Sequence, residues 1–146
     1  MPRYFTLDQA RAALPFVSRN IREAVQAKSR YQDAEGSMQE LSQRILMRGG
    51  MAVDINVVEV WKTQRENSAQ TLKASMERIE EAGVLVKDLD VGLIDFPTLY
   101  QGREVYICWR MDESDIAWWH GTNEGFAGRR PIDKAFIENH QGEESA

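Results

Sequence analysis

The residues of this chain equipped for chemistry crowd between Gly83 and Pro131. Three of the four tryptophans (Trp109, Trp118, Trp119), the only cysteine (Cys108), His120 and the pairs Asp88/Asp90 and Arg129/Arg130 fall there. His120 is the one side chain among them that titrates near neutrality, which suits it to general acid/base work or to metal ligation. A metal there needs ligands from elsewhere in the chain, and with Asp95 and Glu124 it makes a candidate set of His120, Asp95 and Glu124. The opposing reading is structural: a histidine closing a tryptophan-rich strand commonly serves as a hydrogen-bonded core or rim residue. Cys108 and His120 belong to different strands and lack a recognisable ligand spacing, so a zinc site using them needs Asp95 or Glu124 to converge in space. Nothing near Cys108 in sequence lowers its pKa, so it reads as a small inert hydrophobe.

The run Gly125-Phe126-Ala127-Gly128-Arg129-Arg130-Pro131 suggests anion binding, since glycines expose backbone N–H groups and guanidiniums match carboxylate or phosphate oxygens. No lysine-serine/threonine pair comes after it, so it is not a P-loop. Equally, Arg129 and Arg130 can pair with Asp88, Asp90 or Asp95 and pin the C-terminal loop to the rest of the fold. Trp119 beside Arg110 has the makings of a cation–π platform or of a covered sheet edge. The candidate binding set is therefore Asp95, Arg110, Trp119, His120, Glu124, Arg129 and Arg130. Because no nucleophile, metal or cofactor signature is complete, the leading reading is a non-catalytic module that uses this cluster to bind a small anionic ligand or a protein partner. A small metal-dependent or acid/base enzyme centred on His120 with Asp95 or Glu124 is the alternative. No particular cofactor is implied.

The hydrophobic periods give the elements that position these residues. Thr6 and Gln9 have the form of a capping box, so a helix starts at Leu7. Leu7, Ala10, Leu14, Val17, Ile21, Val25, then Met38, Leu41 and Ile45, recur every three or four residues. Pro15 bends this helix, and Gly36 with a second capping box at Ser37/Glu40 leaves open a break there. Gly49-Gly50 ends it near residue 48, Asp54 caps a second helix, and Gly83 closes that one. The two make an antiparallel hairpin, 7–48 against 54–82, which leaves residues 7–19 overhanging. Leu7, Leu14, Val17, Phe5 and Phe16 are the expected cover for the segment after Gly83. Segment 84–131 reads as a β-meander plus a C-terminal loop, with strands Leu93–Phe96, Val105–Met111 and Ile116–His120 bounded by Gly92, Pro97, Gln101-Gly102 and the turn at 112–115. Val105, Ile107, Trp109 and Met111 share one face, opposite Tyr106, Cys108 and Arg110, and Trp118 with His120 opposes Trp119. A two-residue Glu113-Ser114 loop sets Trp109 beside Trp118 and Ile107 beside His120; a slip of one residue exchanges the faces. The fold class is α+β in a single domain, 1–137, with a disordered acidic tail over 138–146.

The runs Gly83–Asp90, Gly92-Leu93-Ile94-Asp95-Phe96-Pro97, Cys108-Trp109-Arg110, Trp118-Trp119-His120 and Gly125-Phe126-Ala127-Gly128-Arg129 resemble a family filed as domain of unknown function 2203. The Phe5-Thr6-Leu7 and Ala13-Leu14-Pro15 segments look like its opening. The resemblance implies a small bacterial protein with a helical arm, and brings no activity with it. Other members often carry an acid just after the histidine, where this chain has Gly121.

Composition narrows the partners. Eighteen basic against 23 acidic residues give a net charge of −5 over 146 residues, so no positive field draws the protein to duplex nucleic acid. No run of about 18 apolar residues exists to span a membrane. One cysteine and an N-terminus without an apolar leader segment fit a reducing cytoplasm. Met38, Leu41, Ile45 and Trp61 need covering on the hairpin, and a homodimer through the two helices is the economical cover, making oligomerisation a third function class.

Overall fold

The computed structural model describes residues 3–142. Helix forms 55% and strand 20% of it, which makes the chain α+β: α1 (Leu7–Met47) packs on α2 (Ile55–Glu81), and an antiparallel sheet comes after them. The capping box is present as read, with Gln9 N–H donating to Thr6 Oγ1 at 3.1 Å and Thr6 N–H to Gln9 Oε1 at 2.9 Å. The helix runs unbroken through Pro15 and Gly36, because one glycine weakens a helix by only about 1 kcal/mol. Both helices end in the same device. Gly49 and Gly83 take φ of +66° and +87°, and the next residue's N–H reaches back to Ile45 O at 2.9 Å and Ile79 O at 3.2 Å, the Schellman arrangement that favours glycine.

Two compact units divide the chain: Glu23–Ser75, and Met1–Arg22 with Met76–Ala146. The first unit is a helical hairpin. Its buried residues are small, Ala24, Ala27, Ala34, Ser68 and Ser75, and its arms are tied by Arg65–Glu35 at 2.8 Å and by Gln64 Nε2 donating to Arg30 O at 3.2 Å. Met38, Leu41, Ile45 and Trp61 are half-buried. The exposed apolar side chains cluster instead around the tip, with Leu46 80%, Met47 88%, Ile55 70% and Val60 63% exposed.

The second unit holds the core and the sheet. Strands β1 (Leu85–Asp88), β2 (Leu93–Tyr100), β3 (Arg103–Arg110), β4 (Trp118–Gly121) and β5 (Arg130–Pro131) lie in sequence order, and β6 (His140–Gln141) pairs with β2. Register puts Ile94, Phe96 and Thr98 beside Trp109, Ile107 and Val105, and Ile107 beside Trp119. These form one face, and Leu7, Ala10, Val17 and Ile21 from α1 share its core with Phe5, Ile79, Val84 and Phe136. Phe16, expected among that cover, is 38% exposed with the Arg19 guanidinium 5.9 Å above its ring.

Three sequence expectations need correction. Pro97 does not end a strand: β2 continues to Tyr100. Pro97 O accepts Phe5 N–H at 2.7 Å, and since a strand residue's N and C=O point to the same edge, the missing N–H lies on that side and the β2–β3 ladder loses nothing. The β3–β4 connection is not a two-residue loop but residues 111–117, because Ile116 is buried in the core and Glu113 folds back to accept Arg110 N–H at 2.7 Å. The resulting register, Cys108 with Trp118 and Tyr106 with His120, is the slipped one, so His120 sits on the face of Cys108. Finally, Glu138–Gln141 are not part of a disordered tail. Asp133 caps a short helix α3 (Lys134–Asn139), Phe136 is fully buried in it, and His140 Nε2 accepts Leu7 N–H at 2.9 Å. Residues 143–146 lie outside the described residues.

Candidate functional site

The sheet sorts the candidate residues onto two faces. Asp95 in β2, Cys108 in β3 and His120 in β4 stand on three adjacent strands, on the face turned away from α1. Asp95 and Cys108 are fully buried and His120 is 4% exposed. His120 Nε2 lies 3.0 and 3.1 Å from the two Asp95 oxygens, and Nδ1 lies 2.8 Å from Gly121 O. With an acceptor at each nitrogen the ring is served best as imidazolium. The Asp95 carboxylate, the Cys108 thiol and the Gly121 carbonyl together push its pKa up to about 10, outweighing desolvation. Burial pushes the Cys108 thiol up, against the smaller lowering influences of His120 and Arg129. A protonated thiol with no exposure is a poor nucleophile.

Arg129 covers this face. Its guanidinium lies 5.2 Å from the Trp118 ring centroid and 4.6 Å from that of Phe126. It donates to Glu113 Oε1 at 2.6 Å and more weakly to Cys108 O at 3.4 Å. The pinning role read from sequence is therefore present, with Glu113 as partner in place of Asp88, Asp90 or Asp95. The Arg110 guanidinium also lies over the Phe126 ring, 4.9 Å from its centroid. Its guanidinium is held by both oxygens of Asp112 at 2.6 and 3.0 Å, which raises the Arg110 pKa and lowers that of Asp112.

On the other face lie Trp119, Glu124 and Arg130. Arg130 sits 5.0 Å over the Trp119 ring and grips Glu124 at 3.0 and 3.2 Å. Glu124 also accepts Gly121 N–H at 3.2 Å. A Cβ on Gly121 would come within 2.8 Å of Glu124 Oε1, and one on Gly128 within 2.7 Å of Glu124 Cβ. Glycine at 121 thus leaves room for the Glu124 carboxylate beside the histidine's own backbone. The expected trio of His120, Asp95 and Glu124 is not assembled: among the described residues the convergent set is Asp95, Cys108 and His120, whose ligand atoms lie within 4.8 Å of one another. Of the two acids that could converge on Cys108 and His120 it is Asp95 that does so, although the two-residue loop put Cys108 across the sheet from His120. A cleft of about 310 Å³ opens beside Trp119, and Tyr100, Arg103, Glu104, Glu124 and Arg130 contribute to its walls.

A helical hairpin feeding an antiparallel sheet, with a buried Asp–His–Cys cluster on one face and an aromatic cleft on the other, defines the class of protein. The chain belongs to the family described as uncharacterized conserved protein DUF2203, whose model matches residues 3–132. No curated protein and no solved structure matches it. Among the described residues no helix is long and apolar enough to cross a membrane.

Proposed function

We propose that this protein is a non-catalytic binding module that takes a small, flat anion in the cleft beside Trp119. The supporting observation is the chemistry of that cleft: two aromatic residues, Trp119 and Tyr100, stand with the guanidiniums of Arg103 and Arg130 around about 310 Å³. Arg130 is already neutralised by Glu124, whereas Arg103 has no ion-pair partner among the described residues. A carboxylate or phosphate pairs with the Arg103 guanidinium, and a flat ring can lie on the outer side of the Arg130 guanidinium that already covers Trp119. The inward-facing alternative, acid/base catalysis at His120, is disfavoured because both ring nitrogens already have acceptors and the cluster is buried. Benzoate and inorganic phosphate are the probes. Millimolar benzoate is expected to raise the melting temperature more than phosphate does, and the shift is expected to vanish in Arg103→Ala. A parent protein whose melting temperature responds to neither anion overturns the reading.

The partner we propose is a second copy, docked through the hairpin tip. Leu46, Met47, Ile55 and Val60 expose 63–88% of their area there. Arg44 and Arg48 end α1 while Asp54 and Glu59 begin α2, so a two-fold copy can set each basic turn against the partner's acidic one. Sedimentation at tens of micromolar is expected to give a dimer mass that falls to monomer in Ile55→Glu; a monomeric parent rejects it. The buried single thiol suits a reducing cytoplasm.

A further inference from the structure

We infer that Asp95, Cys108 and His120 form a zinc site, independent of the cleft beside Trp119. The three side chains offer one oxygen, one sulfur and one nitrogen from neighbouring strands, all within 4.8 Å of one another and all buried. That donor set belongs to zinc, and tetrahedral coordination at about 2.0–2.3 Å per bond sets ligand atoms about 3.3–3.6 Å apart. The Asp95–His120 separation of 3.0–3.1 Å is already close to this, and the sulfur, within 4.8 Å of both, needs to approach by about 1.5 Å at most.

The histidine is oriented as a ligand. Its Nδ1 is committed to Gly121 O at 2.8 Å, the backbone carbonyl bond that fixes the tautomer of metal-bound histidines and presents Nε2 to the ion. Nε2 is the nitrogen that faces Asp95. Charge favours the exchange as well. Asp95 carboxylate, imidazolium and thiol sum to zero, and so do carboxylate, neutral imidazole, thiolate and Zn²⁺, so the ion replaces two protons without adding net charge to a buried site. Arg129, nearby, is neutralised by Glu113 at 2.6 Å. Three protein ligands leave a fourth position for water. Because the cluster is sealed, the ion enters as the sheet forms, which couples binding to folding.

The test is metal analysis of the untagged full chain made in zinc-supplemented medium, together with the absorption spectrum after refolding with Co²⁺ in place of zinc. About one zinc per chain, a thiolate-to-cobalt charge-transfer band and intense tetrahedral d–d bands are expected. Cys108→Ser is expected to abolish the charge-transfer band, while Glu124→Gln keeps both zinc and spectrum. A parent chain that gives only the weak spectrum of hydrated cobalt overturns the proposal, whatever the variants do. Full zinc occupancy in Cys108→Ala, or loss of zinc in Glu124→Gln, overturns it too.

Discussion

The two faces of the sheet are built from the same strands by different physics. The face toward α1 carries Ile94, Phe96, Ile107, Trp109 and Trp119, and its cohesion is apolar area removed from water. The other face buries Asp95, Cys108 and His120 under Arg129, Trp118 and Phe126, so every charge there depends on a partner. A packed apolar face tolerates adjustment and loses stability in proportion to what is removed. A buried polar face fails by whole groups, since removing one partner strands the other.

Truncation separates the two. Phe96→Ala opens a cavity at a fully buried ring that meets Phe5 edge-on at 5.2 Å, and about 3–5 kcal/mol of stability should go. Arg129→Ala removes far less apolar area, yet leaves Glu113 half-sealed and without its cation; a loss of about 2–4 kcal/mol is expected in urea melts. Arg129→Lys keeps the charge but not the flat stack between Trp118 and Phe126, so it should recover only part of the loss. If Arg129→Ala costs nothing measurable, the polar face is not held as described.

The polar face should also respond to pH where the apolar one does not. In the metal-free protein the folded state holds the His120 proton far more tightly than an unfolded chain does, with a pKa near 10 against an ordinary value of 6.5. The stabilisation is therefore complete below about pH 6.5 and is lost progressively as pH rises toward 10. His120→Gln should be less stable at pH 6 and lose little more between pH 7 and 10. Parallel pH profiles for the parent and this variant would refute the assignment.

Much of the apolar face was legible in the sequence. The capping box, both glycine stops and the alternation of Val105, Ile107 and Trp109 rest on local chemistry, and all appear as read. The polar face was not. Its assembly depends on a one-residue register choice between β3 and β4, set by Glu113 bonding Arg110 N–H and Arg129 at once; such a tie spans 16 positions and leaves no periodic signal. The C-terminal segment was misread for a related reason. The polar residues from Glu138 on follow a ring just before them, Phe136, stacked at 5.3 Å on Tyr100 and 4.9 Å on Trp119, and include one histidine that caps α1.

The finest discrimination lies between Arg129 and Arg130, adjacent in sequence, the one just before β5 and the other its first residue. Arg129 has a side chain 9% exposed against Glu113 at 17%, while Arg130 is 54% exposed against Glu124 at 34%. An ion pair so open to water is worth about 0–1 kcal/mol, and Arg130 covers Trp119 with a guanidinium that solvent can replace. Arg130→Ala should therefore shift the denaturation midpoint only slightly, in contrast to its neighbour, while leaving Glu124 free to hold Gly121 N–H. The measurement is a pair of urea melts run side by side. Equal losses for the two arginines would mean that their different burial does not set what each contributes, and the contrast between the two faces would have to be redrawn.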